Sequence, residues 1–292
     1  MFLGILTSII LACSQDKTPD MSSLQTLTHD GEEREYGLFF PSSYDGSEQI
    51  PLIVNIHGGC MDAASQMSAM NMRDLAEEHN FALVYPQGLP EEGNEYCLIW
   101  NSGPYAEESN KTTADDLGFF ETLITEMTGS YAIDSDRIYA TGFSNGGFMT
   151  YALACYQSET FAAVAPVAGM MTQEELDPNS PNPCVTDRPV PVINFHGSDD
   201  TTVSVDYGDE AVDFWVSRNN TTQSATNTVE DGYYTIEHNS YTDGDNGSAV
   251  EYYKVIGGYH ETFNGINYDG QNSLSLIWEF FSQYDINGRI DN

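Results

Sequence analysis

A serine flanked by glycines at alternate positions, Gly142-Phe143-Ser144-Asn145-Gly146, is the segment of this 292-residue sequence best suited to nucleophilic chemistry. A short apolar run precedes it and helix-spaced residues follow, which sets the serine on a strand-to-helix turn. Bulky neighbours would clash on so sharp a turn, so glycines fit there for steric reasons. The helix start behind Ser144 adds a positive field for a developing oxyanion. A serine hydroxyl also needs a base, and a neutral imidazole needs a carboxylate to orient it. Of the six histidines, His29 falls in a polar lead segment, His79 ends an expected helix, and His238 lies within a late strand. His57 and His196 each close a strand before a glycine, the place of a residue that supports a turn. His260, in Gly257-Gly258-Tyr259-His260, lies in a loop between the last strand and the last helix, where a base reaches the serine. Asp199 and Asp200 both follow a strand between the serine and the histidine, and either fits the acid. The turn His57-Gly58-Gly59-Cys60 closes another strand and frees backbone N–H groups. The N–H of Cys60, with that of Asn145, is expected to hold the oxyanion.

Side chains so far apart in sequence need a scaffold that brings them together. The pattern alternates strand and helix. Residues 35–40 read as an edge strand, and 51–57, 81–85, 137–141, 162–168 and 191–196 as short apolar strands. Helical spacing marks 68–79, 113–130, 144–155, 205–218 and a closing segment, 274–284. Two alternating segments, 233–239 and 249–256, read as a late β pair. Such β-α repeats imply a mostly parallel central sheet with helices on both faces, with chemistry at the carboxyl ends of the strands. The chain order of serine, aspartate and histidine is that of the α/β-hydrolase fold.

Nine Lys and Arg stand against 45 Asp and Glu, a formal net charge of −36. A surface of that sign repels nucleic acid and anionic lipid. The apolar run at residues 1–12 ends at Cys13 and is too short to span a bilayer. It reads as an export signal, and Ile10-Leu11-Ala12-Cys13 resembles a bacterial lipoprotein box in which Cys13 is lipidated. Simple cleavage near Ala12 is the alternative. Residues 14–30 read as a flexible tether and 31–292 as one domain. Any membrane contact would come through the lipid anchor. Cys13 aside, four cysteines remain, an even number suited to disulfides in an oxidising compartment, and none has the spacing of a zinc site.

Taken together, these blocks resemble the extracellular polyhydroxybutyrate depolymerase-like and feruloyl or acetylxylan esterases of the α/β-hydrolase class. The resemblance runs from about residue 36 to 284. His196-Gly197-Ser198-Asp199-Asp200-Thr201-Thr202-Val203 fits that family's segment with Asp200 as the acid, and Gly257-Gly258-Tyr259-His260 fits its late histidine. Asp115-Asp116-Leu117-Gly118-Phe119 and Ala165-Pro166-Val167-Ala168-Gly169 also look like family segments. By the same resemblance Cys60 pairs with Cys97, Cys155 with Cys184, and Trp100 flanks the acyl pocket. The implied activity is hydrolysis of a polysaccharide- or polyester-derived ester by Ser144, Asp200 and His260, without cofactor or metal. A peptidase on the same fold, or a surface protein without activity, are the competing readings.

Overall fold

Residues 50–56, Ile-Pro-Leu-Ile-Val-Asn-Ile, are buried at every position, as a strand with helices over both faces must be. They form the third strand in a computed structural model that describes residues 24–103 and 112–290. The expected export signal, the lipidation site Cys13 and tether residues 14–23 lie outside the described residues.

The first strands are β1 (Gln25–His29), β2 (Glu32–Phe39), β3 (Ile50–Ile56) and β4 (Ala82–Pro86). A separate hairpin follows, of β5 (Leu89–Glu91) and β6 (Asn94–Ile99). Then come β7 (Ile133–Phe143), β8 (Ala163–Val167), β9 (Val192–Gly197), β10 (Gln223–Glu230), β11 (Thr235–Thr242) and β12 (Val250–Ile256). Ten of these make one sheet, in the order β1-β2-β4-β3-β7-β8-β9-β12-β11-β10. The central run from β4 to β12 is parallel throughout, and antiparallel strands flank it on both sides. This is the α/β-hydrolase fold.

Alternation along the strands divides the core in two. Leu52, Val54 and Ile56 face one cluster, with α3 (Asp116–Ser130), α4 (Asn145–Tyr156) and α6 (Val205–Arg218). Ile53 faces the other, with α1 (Ala63–Ala69), α2 (Arg73–His79) and α7 (Ser273–Phe281). Between β8 and β9 lies one further short helix, α5 (Gln173–Leu176).

Three expectations change. Gln25–His29 is a strand and not part of a tether. It hairpins onto β2 through Asp30 and Gly31, both at positive φ, and Leu27 packs against the core. The helix expected over 68–79 is broken into α1 and α2. The Asn55 side chain accepts from Gln66 and donates to the Met70 carbonyl at 3.0 Å, and Met70 and Met72 turn inward. The late β pair has a third member, β10, whose residues are nearly all exposed.

The Cys155–Cys184 disulfide joins the end of α4 to the loop after α5. In that loop the N–H of Cys184 donates to the Glu175 carbonyl, and Glu175 closes a capping box with Thr172. Burial pushes the Glu175 carboxyl up to about 7. The folded chain therefore holds this proton more tightly than the unfolded chain does. The associated stability is fully present below the ordinary value of 4.5 and is lost as pH rises through about 7. Glu175→Gln should match the wild type near pH 4 in chemical denaturation. It should exceed it at pH 8 by about 3 kcal/mol, the equivalent of the shift; equal pH dependence in the two proteins would refute the assignment.

Candidate active site

Ser144 lies between β7 and α4 at φ 55° and ψ −119°, a strained conformation for a residue with a side chain. Its N–H donates to the Val167 carbonyl at 2.9 Å, tying the turn to β8. The flanking glycines are steric necessities. A Cβ on Gly142 would stand 2.4 Å from the Gly146 carbonyl oxygen, and one on Gly146 would stand 2.3 Å from that of Ile56. Helix α4 therefore starts directly against the ends of β3 and β7. Its first residue, Asn145, leaves an N–H with no intrahelical acceptor.

The structure separates the two candidate acids. Asp200 is buried, and its Oδ1 accepts the N–H groups of Thr202 and Val203, each at 2.8 Å. Its Oδ2 lies 2.7 Å from Nδ1 of His260. Asp199 is exposed, and among the described residues its carboxylate accepts the Ser198 hydroxyl alone. A carboxylate on Nδ1 favours the tautomer that keeps the proton there, which leaves the Nε2 lone pair open to accept one. The His260 ring packs on Phe143, next to Ser144, with centroids 4.8 Å apart. Neither Nε2 nor the Ser144 hydroxyl has a hydrogen-bond partner among the described residues, and such contacts commonly tighten only around substrate. The loop carrying His260 can approach because Gly197 lacks a side chain: a Cβ there would meet the Gly258 carbonyl oxygen at 2.3 Å.

The other histidines have different partners. His57 is fully buried, accepts the Gly88 N–H on Nε2 at 2.9 Å and donates from Nδ1 to the Gly58 carbonyl at 2.8 Å. Burial lowers its pKa to about 4. Burial also lowers that of His196, which bonds the Val203 carbonyl beneath Asp200. His29 bonds Thr122 and Asp115, His79 stacks on Trp278, and His238 lies between Glu251 and Tyr268.

Two expected roles are corrected. The N–H of Cys60 already donates to the Leu98 carbonyl at 2.8 Å, so it is not free for an oxyanion. Gly59, one residue earlier, has an N–H with no partner among the described residues. Its position is beside Asn145, where a Cβ would sit 3.7 Å from that of Asn145. Trp100 is only 2% exposed and cannot line an acyl pocket. Its indole N–H donates to the His57 carbonyl at 2.9 Å, and its ring packs against His57, Phe119 and Phe120. Its backbone is gripped by the Asn145 side chain, which accepts the Trp100 N–H at 2.7 Å and donates to its carbonyl at 3.2 Å.

Behind Trp100 lies a buried ion pair that the sequence reading missed. Arg34 donates to Asp116 at 2.6 Å and lies 3.9 Å over the Phe119 ring, while Asp116 also accepts the Asn101 N–H at 2.7 Å. Burial pushes the Asp116 carboxyl up, against the pull of Arg34. The signals for it were a lone arginine among glutamates in β2 and the acidic pair at 115–116.

Cys60 and Cys97 are bonded, which ties the turn after β3 to β6. Glu91 stands with these two sulfurs in a cluster whose ligand atoms lie within 4.8 Å, but disulfide sulfurs offer no thiolate to a metal.

Residues 48–242 match the family described as Phospholipase/Carboxylesterase, a span that includes Ser144 and Asp200 and stops short of His260. Among relatives, Feruloyl esterase B of Piromyces equi is 34% identical over 170 residues, 58% of this chain and 30% of that protein. Feruloyl esterase D of Neurospora crassa is 28% identical over 309 residues, 98% of this chain and 96% of that protein. An acetyl xylan esterase from Aspergillus awamori superposes with a TM-score of 0.63 at 18% identity, over 89% of this chain and 99% of that one, a likeness of fold. The chain spans 30%, 35% and 46% of the lengths of three of the curated relatives that it matches.

Gly146→Ala should force α4 away from β3. The expected loss is about 3 kcal/mol, at the upper end for overpacking because a backbone oxygen cannot swing aside. Denaturant unfolding measures it, and a loss below about 1 kcal/mol would contradict the close approach, since unstrained surface changes stay within about half that.

Proposed function

This chain belongs to the phospholipase/carboxylesterase family, and from that premise we propose that it is a serine carboxylic-ester hydrolase, exported from the cell. Its substrates are esters of polymers or their fragments, of the feruloyl or acetyl polysaccharide type or the polyhydroxyalkanoate type. The observation that carries the reading is the 2.7 Å bond from Asp200 to His260, set beside a serine held at positive φ at the start of α4.

On this reading Nε2 of His260 takes the hydroxyl proton of Ser144 as the oxygen attacks the ester carbonyl. Asp200 stabilises the imidazolium that results, its other oxygen held by two backbone N–H groups. The N–H groups of Gly59 and Asn145 receive the negative oxygen, helped by the field at the start of α4. The alcohol leaves with the proton from His260, and a water deprotonated by the same nitrogen releases the acid and restores Ser144. Trp100 contributes by fixing His57 and Asn145, and so the separation of the two donors.

The two disulfides support an oxidising location. The apolar leader ending at Cys13 supports export, with lipidation of Cys13 as the form of any anchor. Relatives named as feruloyl esterases support a feruloyl ester, one named as a bifunctional acetylxylan esterase/xylanase supports an acetylated polysaccharide, and one named as a poly(3-hydroxyalkanoate) depolymerase supports the polyester class.

Ser144→Ala should abolish hydrolysis of p-nitrophenyl acetate with the fold intact by circular dichroism; a tenth of wild-type turnover would exclude Ser144 as nucleophile. Asp200→Asn should lower turnover by roughly 10³–10⁴, as loss of the orienting carboxylate does elsewhere. Asp199→Asn should lower it far less, and a reversed ranking would move the role of acid to Asp199.

A further inference from the structure

The hairpin of β10 and β11 turns through Asp231, Gly232, Tyr233 and Tyr234 at the end of the sheet where β12 finishes, with Thr235 opposite Ile256. The turn therefore lies beside the loop that carries His260, and the two are joined. The Tyr234 hydroxyl donates to Oε1 of Glu261 at 3.1 Å, and the Tyr259 N–H reaches the same oxygen at 3.4 Å. Asp231 accepts the Asn267 N–H at 2.8 Å, which fastens the turn to the far side of that loop. This fixed frame holds two rings out in water: Tyr233 is 95% exposed and Tyr259 64%.

We propose that Tyr233, Tyr259 and Glu261 form a subsite for the alcohol side of the ester, and that this alcohol is a neutral polysaccharide chain. The proposal rests on the ester-hydrolase reading above. Nδ1 of His260 is occupied by Asp200, so Nε2 is the nitrogen that returns the proton to the departing alcohol oxygen. Whatever is bonded to that oxygen leaves the reaction centre past His260, and Tyr259 and Glu261 are the residues on either side of it. A sugar ring offers an apolar C–H face to an aromatic ring and hydroxyl donors at its edge. The tyrosine faces suit the first, and the carboxylates of Glu261 and Asp231 suit the second. A polyester chain offers acceptors alone. Laid on this patch it would strip water from two carboxylates and return no hydrogen bond. An acidic polysaccharide is repelled by the same carboxylates and by a net charge of −36.

The test compares the full chain with the double variant Tyr233→Ala/Tyr259→Ala, with folding checked by circular dichroism. Titration calorimetry with unesterified xylohexaose should show binding to the wild type and a loss of roughly tenfold in the variant, about 0.7 kcal/mol per ring. Galacturonate oligomers should not bind. In kinetics, KM for acetylated xylo-oligosaccharide should rise by a similar factor relative to KM for p-nitrophenyl acetate. Equal loss on both substrates would make the tyrosines supports for the His260 loop and overturn the proposal. So would xylohexaose binding that is absent or unaffected, or a selective loss on poly(3-hydroxybutyrate) film. A wild type that binds xylohexaose and hydrolyses no ester would leave the subsite standing and remove the ester-hydrolase reading instead.

Discussion

Helix α4 starts so close to the ends of β3 and β7 that no side chain fits at 142 or 146, and most of the site follows from that approach. It forces Ser144 into the left-handed region and lifts it off the sheet. It leaves the first N–H of the helix, at Asn145, without a partner among the described residues. It also brings Asn145 within reach of Trp100, so the loop after β6 is clamped by the residue that follows the serine. Through Trp100 the clamp extends to His57, and through Asn101 to the Asp116–Arg34 pair. A single backbone contact thus organises side chains drawn from five separate stretches of the chain.

The second half of the site depends on a matching contact. Gly197 lets the Gly257–Tyr259 backbone lie directly over the end of β9, and His260 arrives above Asp200 as a result. Two buried, neutral histidines stand under these turns, His57 beneath the glycine turn and His196 beneath the acid. Each bonds a carbonyl oxygen of a turn, His57 that of Gly58 and His196 that of Val203, and burial holds both well below the ordinary imidazole value. Their positions before Gly58 and Gly197 show the same local solution used twice on one sheet.

What the sequence revealed follows from burial. Strands covered on both faces, such as β3 and β9, are continuous apolar runs and stand out. Strands β1 and β10 were not legible because β10 is covered only around Val229 and β1 is five mostly polar residues, so no period survives. The break between α1 and α2 depends on Asn55, a long-range partner that no local pattern reports. The turn at Ser144 and the loop at His260 were readable from glycines that close approaches require. Asp199 and Asp200 were not separable by residue type, since neighbours on one turn differ only in which way they face. The donor assigned to Cys60 and the pocket role assigned to Trp100 failed for one reason. Each depended on where β6 lies, and β6 sits in a hairpin whose pairing the sequence left unread.

The few cations are spent on internal work. Among the described residues Arg34 pairs with Asp116, Arg137 with Asp134 and Lys254 with Asp209. Arg188 and Arg218 hold backbone carbonyls, and Arg73 and Arg289 hold amide side chains. Most of the lysines and arginines in that set are thus held by acidic groups or backbone carbonyls, and few remain to attract an anion. An ester enters such a surface uncharged, but on the proposed chemistry one of its two products is a carboxylate. Once clear of the donors at the start of α4, that product meets a molecule of its own sign and is driven outward, while the neutral alcohol is not. Accumulated acid should therefore be a poor competitor for the site in dilute buffer, and a better one where added salt shortens the reach of the repulsion.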